Sequence, residues 1–264
     1  MKMSRIKLKK LENTRDLGGI ITVDGRRIKD KKLIRSGELF KATEKDKSVL
    51  LNDYELKTVV DFRTETERDQ KPDPALVGVE NIFNPILKEK TLGITRERSR
   101  KIDMPKNFKG VKTKPMEFMR NLYTDIVLDE HAQQGYAKFF DILLKQENGS
   151  VLWHCAAGKD RVGVATALLL TVLGVDRKTI IDDYLLTDKY YCKTNFYLYL
   201  LLDLFVWDKN AANHLKHLLS VKAEYLEASF DAIETNYGSI ENYLSQAMNF
   251  SIEKQETLRR KYLE

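Results

Sequence analysis

Cysteine is scarce in this chain of 264 residues, which contains only Cys155 and Cys192. Two cysteines do not make the disulfide framework of a small secreted domain, and their scarcity favours a reducing compartment such as the cytoplasm. The N-terminus is basic but lacks the apolar region of a signal peptide. The sequence leaves open a signal that was trimmed, or secretion without a recognisable signal.

Long apolar runs and clusters of metal ligands are also missing. Residues 162–175 form an uncharged stretch of 14 residues, shorter than the roughly 20 that a membrane-spanning helix needs. Asp203 interrupts the apolar stretch at 197–207. His214 and His217 share a predicted helix face, but no glutamate stands between them and no Cys/His cluster exists. We therefore predict no membrane span, no metal site and no cofactor.

Positive charge is concentrated in two segments, although the net charge is only +6. Residues 1–32 hold eleven Lys or Arg against four acids, and residues 86–114 hold ten against three. Such clusters are usual on solvated faces, but they also suit acidic membrane lipids, where a basic residue contributes about 1 kcal/mol. Phe108 is the single aromatic residue from Lys88 to Lys114. No stacking platform is visible, so nucleic acid is not an expected partner.

One segment of the sequence points to chemistry. Cys155 follows an apolar run typical of a buried strand, and Arg161 comes six positions later, just before a helical stretch. Such a loop directs backbone N–H groups at an anion. Helix N-termini and nearby arginines lower the pKa of a thiol, so Cys155 is predicted to be a nucleophile. The spacing alone is weak evidence, because cysteine is often simply buried, but the adjacent His154 and Gly158 strengthen it.

A nucleotide-binding loop is the alternative for this segment, but its spacing does not fit. Gly158-Lys159 is followed by Asp160 rather than by Ser or Thr, and no glycine stands five positions before Gly158. The sequence therefore predicts a phosphate-binding loop that carries a thiolate. Its predicted phosphate-binding or substrate-binding residues are Ala156, Ala157, Gly158, Lys159, Val162 and Gly163.

The segment from His154 to Arg161 resembles the His-Cys-x5-Arg signature of cysteine-dependent protein tyrosine and dual-specificity phosphatases. Its inner Ala-Gly-Lys-Asp-Arg is similar to a bacterial branch that includes tyrosine and lipid phosphatases secreted by some mycobacteria and Listeria. The resemblance covers nearly the whole chain and is weakest from Lys88 to Lys114. Further segments that match are residues 13–19 (NTRDLGG), 35–39 (RSGEL), 59–63 (VVDFR), 183–186 (DYLL) and 237–239 (YGS).

This resemblance implies a metal-free phosphomonoesterase that forms a phosphocysteine intermediate on Cys155. The planar guanidinium of Arg161 would bind two phosphoryl oxygens, and the N–H groups of the loop would bind the others. His154 would hold the loop through a side-chain hydrogen bond. Lys159 would contact ring phosphates, as the in-loop lysine of phosphoinositide phosphatases does, so the expected partners are phosphotyrosine proteins, phosphoinositides or both.

The general acid is less certain from the sequence. Many tyrosine phosphatases supply it from a Trp-Pro-Asp loop, but neither tryptophan of this chain is followed by Pro-Asp. Asp160, inside the loop, is therefore the predicted acid, as the resemblance implies. Asp61 competes with it, because Asp61 ends a predicted strand at the sheet edge where catalytic residues collect. The alternative for Asp61 is an ion pair with Arg63 or Arg15, and Arg63 is grouped with the predicted substrate-binding residues.

Two other function classes stay open. One is a phosphate-binding module without turnover, which the presence of Cys155, Asp160 and Arg161 disfavours. The other is a sulfurtransferase or arsenate reductase, since these enzymes also use a Cys-x5-Arg loop. Cys192 lies 37 residues beyond Cys155 without a paired-cysteine motif for resolving a disulfide, which argues against that class. The oligomeric state does not follow from the sequence.

The order of predicted elements is that of an α/β protein. We predict one domain over residues 1–264, with a phosphatase-type, mainly parallel central sheet wrapped by helices and with additional C-terminal helices. Residues 85–115 are a basic linker or insertion, and 176–264 form the helical C-terminal part. The site is expected outside the carboxyl ends of the strands. Predicted strands are 19–23 and 26–28 (a hairpin), 33–36, 58–62, 79–84 and 151–153; predicted helices are 43–51, 115–128, 136–144, 162–175, 178–190, 194–206, 221–237, 239–248 and 251–263.

Overall fold

The computed structural model of the protein describes residues 4–88, 95 and 113–264. Within them, six strands form one sheet in the order β1-β2-β3-β6-β4-β5. The four strands from β3 to β5 in that order are parallel, and β1 and β2 are antiparallel at one edge. The predicted mainly parallel sheet is therefore confirmed. The strands are β1 Ser4–Arg5, β2 Arg15–Asp16, β3 Leu33–Ser36, β4 Leu56–Asp61, β5 Glu80–Phe83 and β6 Ser150–His154.

Helices surround this sheet and make up most of the C-terminal half. Those of the described residues are α1 Glu44–Ser48, α2 Glu65–Gln70, α3 Pro115–Leu128, α4 Glu130–Lys145, α5 Asp160–Val172, α6 Arg177–Phe205, α7 Lys209–Leu219, α8 Ala223–Tyr237, α9 Ile240–Gln246 and α10 Ile252–Tyr262. The predicted cap of α1 is confirmed, because Thr43 and Asp46 form a capping box. The chain then continues as a π-helical segment, Val49–Asp53. No helix of the described residues is long and apolar enough to cross a bilayer.

The sheet separates two hydrophobic cores, because successive side chains of a strand point to opposite faces. Leu33 and Trp153 face the larger core, which also holds the apolar sides of α3, α4, α5 and α8. Ile34 and Leu152, their neighbours in the chain, face a smaller core with Leu11 beneath the N-terminal segment. Parallel strands buried on both faces read as continuous apolar runs, which is why these strands were predictable from the sequence.

Some predicted elements are wrong. The helices predicted at 178–190 and 194–206 are one helix, α6, because no Gly or Pro interrupts the chain between them. Helix α2 was not predicted, and α7 was predicted only as the helix face shared by His214 and His217, without bounds. The hairpin predicted at residues 19–28 has its turn at Gly25, and backbone hydrogen bonds join its arms, but they form an isolated bridge between Ile21 and Arg27 rather than the two predicted strands. The basic segment Lys88 to Lys114 lies almost wholly outside the described residues.

The sheet positions the predicted loop. His154 ends β6 and is in register with Ser36 at the end of β3 and with Asp61 at the end of β4. Helix α5 begins at Asp160, two residues earlier than predicted. The loop that joins β6 to α5 therefore lies at the carboxyl edge of the parallel strands.

Candidate active site

The backbone of the loop between β6 and α5 is held from outside. Three consecutive carbonyls, those of Ala156, Ala157 and Gly158, each accept a hydrogen bond from a group outside the loop. In a trans peptide the C=O and N–H point in opposite directions, so fixing these carbonyls outward turns the following N–H groups inward. The donors are Glu38 N to Ala156 O (3.2 Å), Asn13 Nδ2 to Ala157 O (3.1 Å) and to Gly158 O (2.9 Å), Tyr191 Oη to Ala157 O (3.0 Å) and Arg35 Nη2 to Gly158 O (3.0 Å).

Glycine is the residue type that fits position 158. Its φ is +63°, and a Cβ built on it would lie 2.4 Å from the backbone oxygen of Ser36. A side chain would therefore be strained and would also collide with the end of β3. This close approach of two backbones fixes the curvature of the loop.

The thiol of Cys155 lies at the base of this loop, and the residue is only 2% exposed. Its electrostatic partners include two buried guanidinium groups, those of Arg161 and Arg35. Burial alone would lower the pKa of Arg161, but Cys155 and the carboxylate of Glu67 raise it above its ordinary value. The structure thus brings Cys155 and Arg161 together at the N-terminal end of α5, where an anion is favoured.

Glu67 fixes the guanidinium of Arg161, and the sequence analysis did not identify it. Its two carboxylate oxygens bind Nη1 at 2.6 Å and Nη2 at 3.0 Å, and Nη1 also donates to the carbonyl of Phe62 at 3.2 Å. The same carboxylate accepts from the backbone N–H of Thr64, which closes the capping box of α2. The Thr-x-x-Glu pattern at residues 64–67 was the available signal, because it marks a helix start.

Asp160 and Lys159 contact each other. The Oδ1 atom of Asp160 lies 3.1 Å from Lys159 Nζ and accepts a hydrogen bond of 2.7 Å from Tyr123 Oη. Lys159 is 2% exposed, and its Nζ also donates to the carbonyl of Ser220 at 3.3 Å. The lysine charge is therefore directed at Asp160 rather than at the solvent side of the loop.

A pair of buried tyrosines supports Asp160. Tyr123 Oη and Tyr184 Oη are 2.6 Å apart. Burial, together with the neighbouring Asp160, raises the pKa of Tyr123 well above its ordinary value. Tyr123 therefore stays protonated and remains a hydrogen-bond donor to the carboxylate.

His154 lies behind the loop, in a different set of contacts from the one predicted. Its Nε2 is 2.9 Å from Asp73 Oδ2 and 3.8 Å from Asp61 Oδ1, whereas the predicted hydrogen bond to the loop is not among its contacts in the described residues. Burial alone would lower the pKa of His154, but the carboxylates of Asp73 and Asp61 raise it above its ordinary value. The ring thus ties the end of β6 to the segment that follows α2.

Asp61 is paired with Arg63 rather than with Arg15. Its Oδ1 accepts from the backbone N–H and from Nε of Arg63, both at 2.9 Å, and its Oδ2 accepts from Nη2 at 2.8 Å. Burial would raise the pKa of Asp61, but His154 and Arg63 lower it. Arg63 Nη2 also lies 3.0 Å from Asp73 Oδ1. Asp61 and Arg63 are therefore joined to each other and to His154.

The only group of side chains in the described residues with the spacing of metal ligands is Asp61, Asp73 and His154. The donor atoms of these three residues lie within 4.8 Å of one another. Arg63 binds both carboxylates, which offsets part of the negative charge that would attract a cation.

A cavity of about 570 Å³ opens over the loop. Ala156 and Lys159 lie on its wall, with exposed lysines on one side and α6 on the other; its lining includes Lys9, Lys10, Lys41, Tyr191, Asn195 and Leu198. Val162 and Gly163, which were also predicted to bind phosphate or substrate, are not in the lining of this cavity. Val162 is buried in the larger core, and a Cβ on Gly163 would lie 3.0 Å from the ring of Tyr184.

Known proteins of similar sequence are named as phosphatases. A protein of Cupriavidus necator named as a tyrosine-protein phosphatase is 33% identical over 247 residues, which are 92% of this chain and 83% of that protein. A tyrosine-protein phosphatase of Nostoc commune is 28% identical over 60% of this chain and 48% of its own length. The triple specificity protein phosphatase PtpB of Mycobacterium tuberculosis is 36% identical over 37% of this chain and 38% of its own length.

Among solved structures, P. aeruginosa TpbA resembles the chain only distantly. Its complex with phosphotyrosine is 16% identical, with a TM-score of 0.28 over 60% of this chain and 70% of TpbA. A second TpbA structure is 14% identical, with a TM-score of 0.27 over 77% of this chain and 89% of TpbA. The model of the tyrosine phosphatase family, in contrast, matches residues 6–264. The resemblance seen in the motifs is thereby confirmed, and the chain belongs to the tyrosine phosphatase family.

Proposed function

We propose that this phosphatase hydrolyses phosphotyrosine through a phosphocysteine intermediate on Cys155. The observation that carries the proposal is the buried thiol beside Arg161, at the N-terminal end of α5, beneath a loop whose carbonyls are held outward. A phosphate in the loop would be met by inward N–H groups and by a guanidinium that Glu67 keeps in place. These groups stabilise the charge that develops on the equatorial oxygens in the transition state.

The first step forms a bond between Sγ of Cys155 and phosphorus, and breaks the bond between phosphorus and the leaving oxygen. The leaving oxygen takes a proton from Asp160. In the second step, water attacks the phosphocysteine, Asp160 takes a proton from that water, and inorganic phosphate leaves with the thiolate restored. A general acid of this kind typically contributes about 10² to 10⁴-fold to the rate.

The contacts of Asp160 fix its carboxylate at the start of α5, next to Arg161. Its Oδ1 accepts a hydrogen bond from Tyr123 and lies 3.1 Å from Lys159 Nζ. The same carboxyl group can therefore serve the leaving oxygen in the first step and the water in the second.

Phosphoinositides and an acidic membrane surface are further proposed partners. Lys159 was expected to contact ring phosphates, but its contacts with Asp160 and Ser220 give it another role in the structure. The exposed Lys9, Lys10 and Lys41 at the cavity mouth are better placed to meet additional phosphates. Their charge supports substrates that carry more than one phosphate.

The nucleophile is tested by the change Cys155→Ser, with Cys192→Ser as the matched control at an exposed cysteine. We expect Cys155→Ser to lower the hydrolysis of an aryl phosphate and of a phosphotyrosine peptide by about 10⁴-fold or more. Vanadate or phosphate binding, measured by calorimetry, should survive because the N–H groups remain. The control should keep normal turnover.

A rapid-quench mass measurement on the wild-type chain should find a phosphoryl adduct on Cys155 during turnover. Near-normal turnover by Cys155→Ser, or a phosphoryl adduct on another residue, would overturn the proposed mechanism. A wild-type chain that binds phosphate without hydrolysing any aryl phosphate would favour the binding module instead.

A further inference from the structure

Exposed apolar side chains are concentrated at the end of α6. Among the described residues, twelve large hydrophobic side chains are exposed, and seven of them lie between residues 196 and 207. We call these seven the apolar face: Phe196 (65% exposed), Tyr197 (66%), Leu200 (49%), Leu201 (49%), Leu204 (63%), Phe205 (71%) and Trp207 (97%). A contiguous set of this size is rare on a protein without a partner, and it usually marks a binding surface.

The opposite side of the same helix faces the active-site cavity. Tyr191 and Leu198 line the cavity, and Asn195 Nδ2 donates to the carbonyl of Leu219 at 3.1 Å. Tyr199 Oη donates to the carbonyl of Lys216 at 3.4 Å. Helix α6 is therefore attached to α7 by its inner side, which leaves the apolar face directed away from that contact.

Basic residues on both sides of α6 favour an acidic lipid surface as the partner of the apolar face. Lys9, Lys10 and Lys41 are exposed on the cavity that α6 borders, and they make no ion pair with the described residues. Lys209 is exposed next to Trp207. Basic residues attract anionic headgroups, and Trp, Phe and Leu enter the boundary between headgroups and acyl chains.

The acidic groups in the same region are mostly engaged. Asp203 pairs with Lys216 at 2.5 Å, and Glu38 pairs with Lys71 at 2.7 Å. Asp208 accepts hydrogen bonds from the first N–H groups of α7. Glu12 is the exposed acid that remains at the cavity mouth, against three exposed lysines. The balance of charge at the mouth is therefore positive.

We propose that the apolar face docks this phosphatase onto a bilayer that carries acidic headgroups, with the end of α6 lying in the interface. The cavity mouth, which shares α6 with that face, would then open beside the lipid surface. The idea that docking brings a phosphatase site to the lipid rests on the proposed function. Docking itself needs no turnover, so the two proposals can fail separately.

The test measures binding of the wild-type full-length chain to vesicles of phosphatidylcholine with or without phosphatidylserine. We expect sedimentation with the phosphatidylserine vesicles and binding at least about tenfold weaker to phosphatidylcholine alone. Trp207 also provides an optical signal, because the other tryptophan, Trp153, is already fully buried. Its fluorescence should shift to shorter wavelength on docking, and the shift should disappear in Trp207→Phe.

The double change Leu204→Glu with Phe205→Glu should weaken vesicle binding by about tenfold or more. The matched control changes two exposed apolar residues elsewhere, Val77→Glu with Ile252→Glu, and should bind like the wild type. Hydrolysis of an aryl phosphate should be unchanged in both, which shows that the chains are folded.

Three outcomes would overturn the docking proposal: no vesicle binding by the wild type, equal binding by both double variants, or a fluorescence shift that persists in Trp207→Phe. A dimer in sedimentation velocity that the Leu204 and Phe205 changes abolish would also overturn it, because the face would then join two copies of the chain. Loss of aryl phosphate hydrolysis in every chain, with vesicle binding intact, would count against the proposed function alone.

Discussion

Asp160 and Asp61 are both buried carboxylates close to the loop between β6 and α5, but their partners differ. Asp61 accepts three hydrogen bonds from Arg63. It also lies near the imidazole ring of His154, whose pKa is raised. These contacts lower the pKa of Asp61, which makes it a poor proton donor. Asp160 begins α5 within the loop itself, where it accepts from Tyr123 and lies 3.1 Å from Lys159 Nζ. We therefore propose Asp160, which is next to Arg161 in the chain, as the acid.

The change Asp160→Asn should slow hydrolysis of alkyl phosphates by about 10² to 10⁴-fold and of activated aryl phosphates much less, because only poor leaving groups need the proton. Asp61→Asn serves as the comparison. The Asp61→Asn variant should show no such dependence on the leaving group. It should lower the free energy of unfolding, because the buried positive charge of Arg63 would lose one of its two carboxylate partners. Steady-state kinetics on a series of phosphate esters checks this, and the opposite pattern would exchange the two roles.

The sequence was informative about residues whose chemistry is local. Cys155 and Arg161 are six positions apart, so one strand, one loop and one helix suffice to bring them together. The positions of Glu67, Tyr123 and Asp73 depend instead on how distant segments pack. Glu67 reaches Arg161 across 94 positions of sequence, and no periodicity or spacing encodes such a contact.

At the scale of elements, α6 is joined to the catalytic loop by a buried ion-pair network. Asp183 pairs with Arg15 at 3.2 Å and with Arg35 at 2.5 Å, and Arg35 also donates to the carbonyl of Gly158. Burial would raise the pKa of Asp183, but the two arginines lower it. The network therefore connects strands β2 and β3 and helix α6 to the loop that would hold phosphate.

Asp183→Asn should destabilise the chain by about 3 to 5 kcal/mol, because two buried arginines would lose their counter-charge. The matched control is Asp182→Asn on the same helix, where the pair with Lys178 is exposed. It should change the free energy of unfolding by no more than about 0.5 kcal/mol. Urea unfolding measures both. Equal, small effects would mean that the network does not stabilise the fold.

A helix or strand was predictable from the sequence where its pattern of apolar residues and its end residues both indicate the same element. Strand β3 and helix α3 have the predicted bounds; the strand begins with Leu33 and Ile34, and the helix has a proline at its first position. Helix α7 was predicted only as the helix face of His214 and His217, without bounds, although its apolar residues recur at helical spacing. The two-residue strands β1 and β2 carry no pattern of their own. They form because β3 offers an edge for pairing.

At the scale of the whole molecule, two networks of buried charges among the described residues lie on either side of the loop. Asp183 with its arginines supports the side toward α6, and His154 with Asp61, Asp73 and Arg63 supports the side toward α2. Both hold the loop from behind, while the cavity mouth is lined by exposed lysines. The fold thus separates the charges that maintain the loop from those that can meet a ligand.

The His154 network makes stability depend on pH. Because the folded-state pKa of His154 is raised above 6.5, its protonation stabilises the fold fully below about 6.5, and this contribution is lost as the pH rises through the folded-state value. We therefore expect the free energy of unfolding to decline as the pH rises from about 6.5 through the folded-state pKa of His154. Asp61 acts in the opposite sense, since its lowered pKa contributes stability above 3.8 that is lost in acid.

The change Asp73→Asn removes the carboxylate that lies 2.9 Å from His154 Nε2. It should therefore shrink the decline in stability with rising pH, because the upward shift in the pKa of His154 becomes smaller. Asp69→Asn, at an exposed position on α2, should keep the wild-type dependence. Urea unfolding across the pH range, with the pKa of His154 followed by NMR, tests both. A decline as steep in Asp73→Asn as in the wild type would show that the pair does not contribute to it.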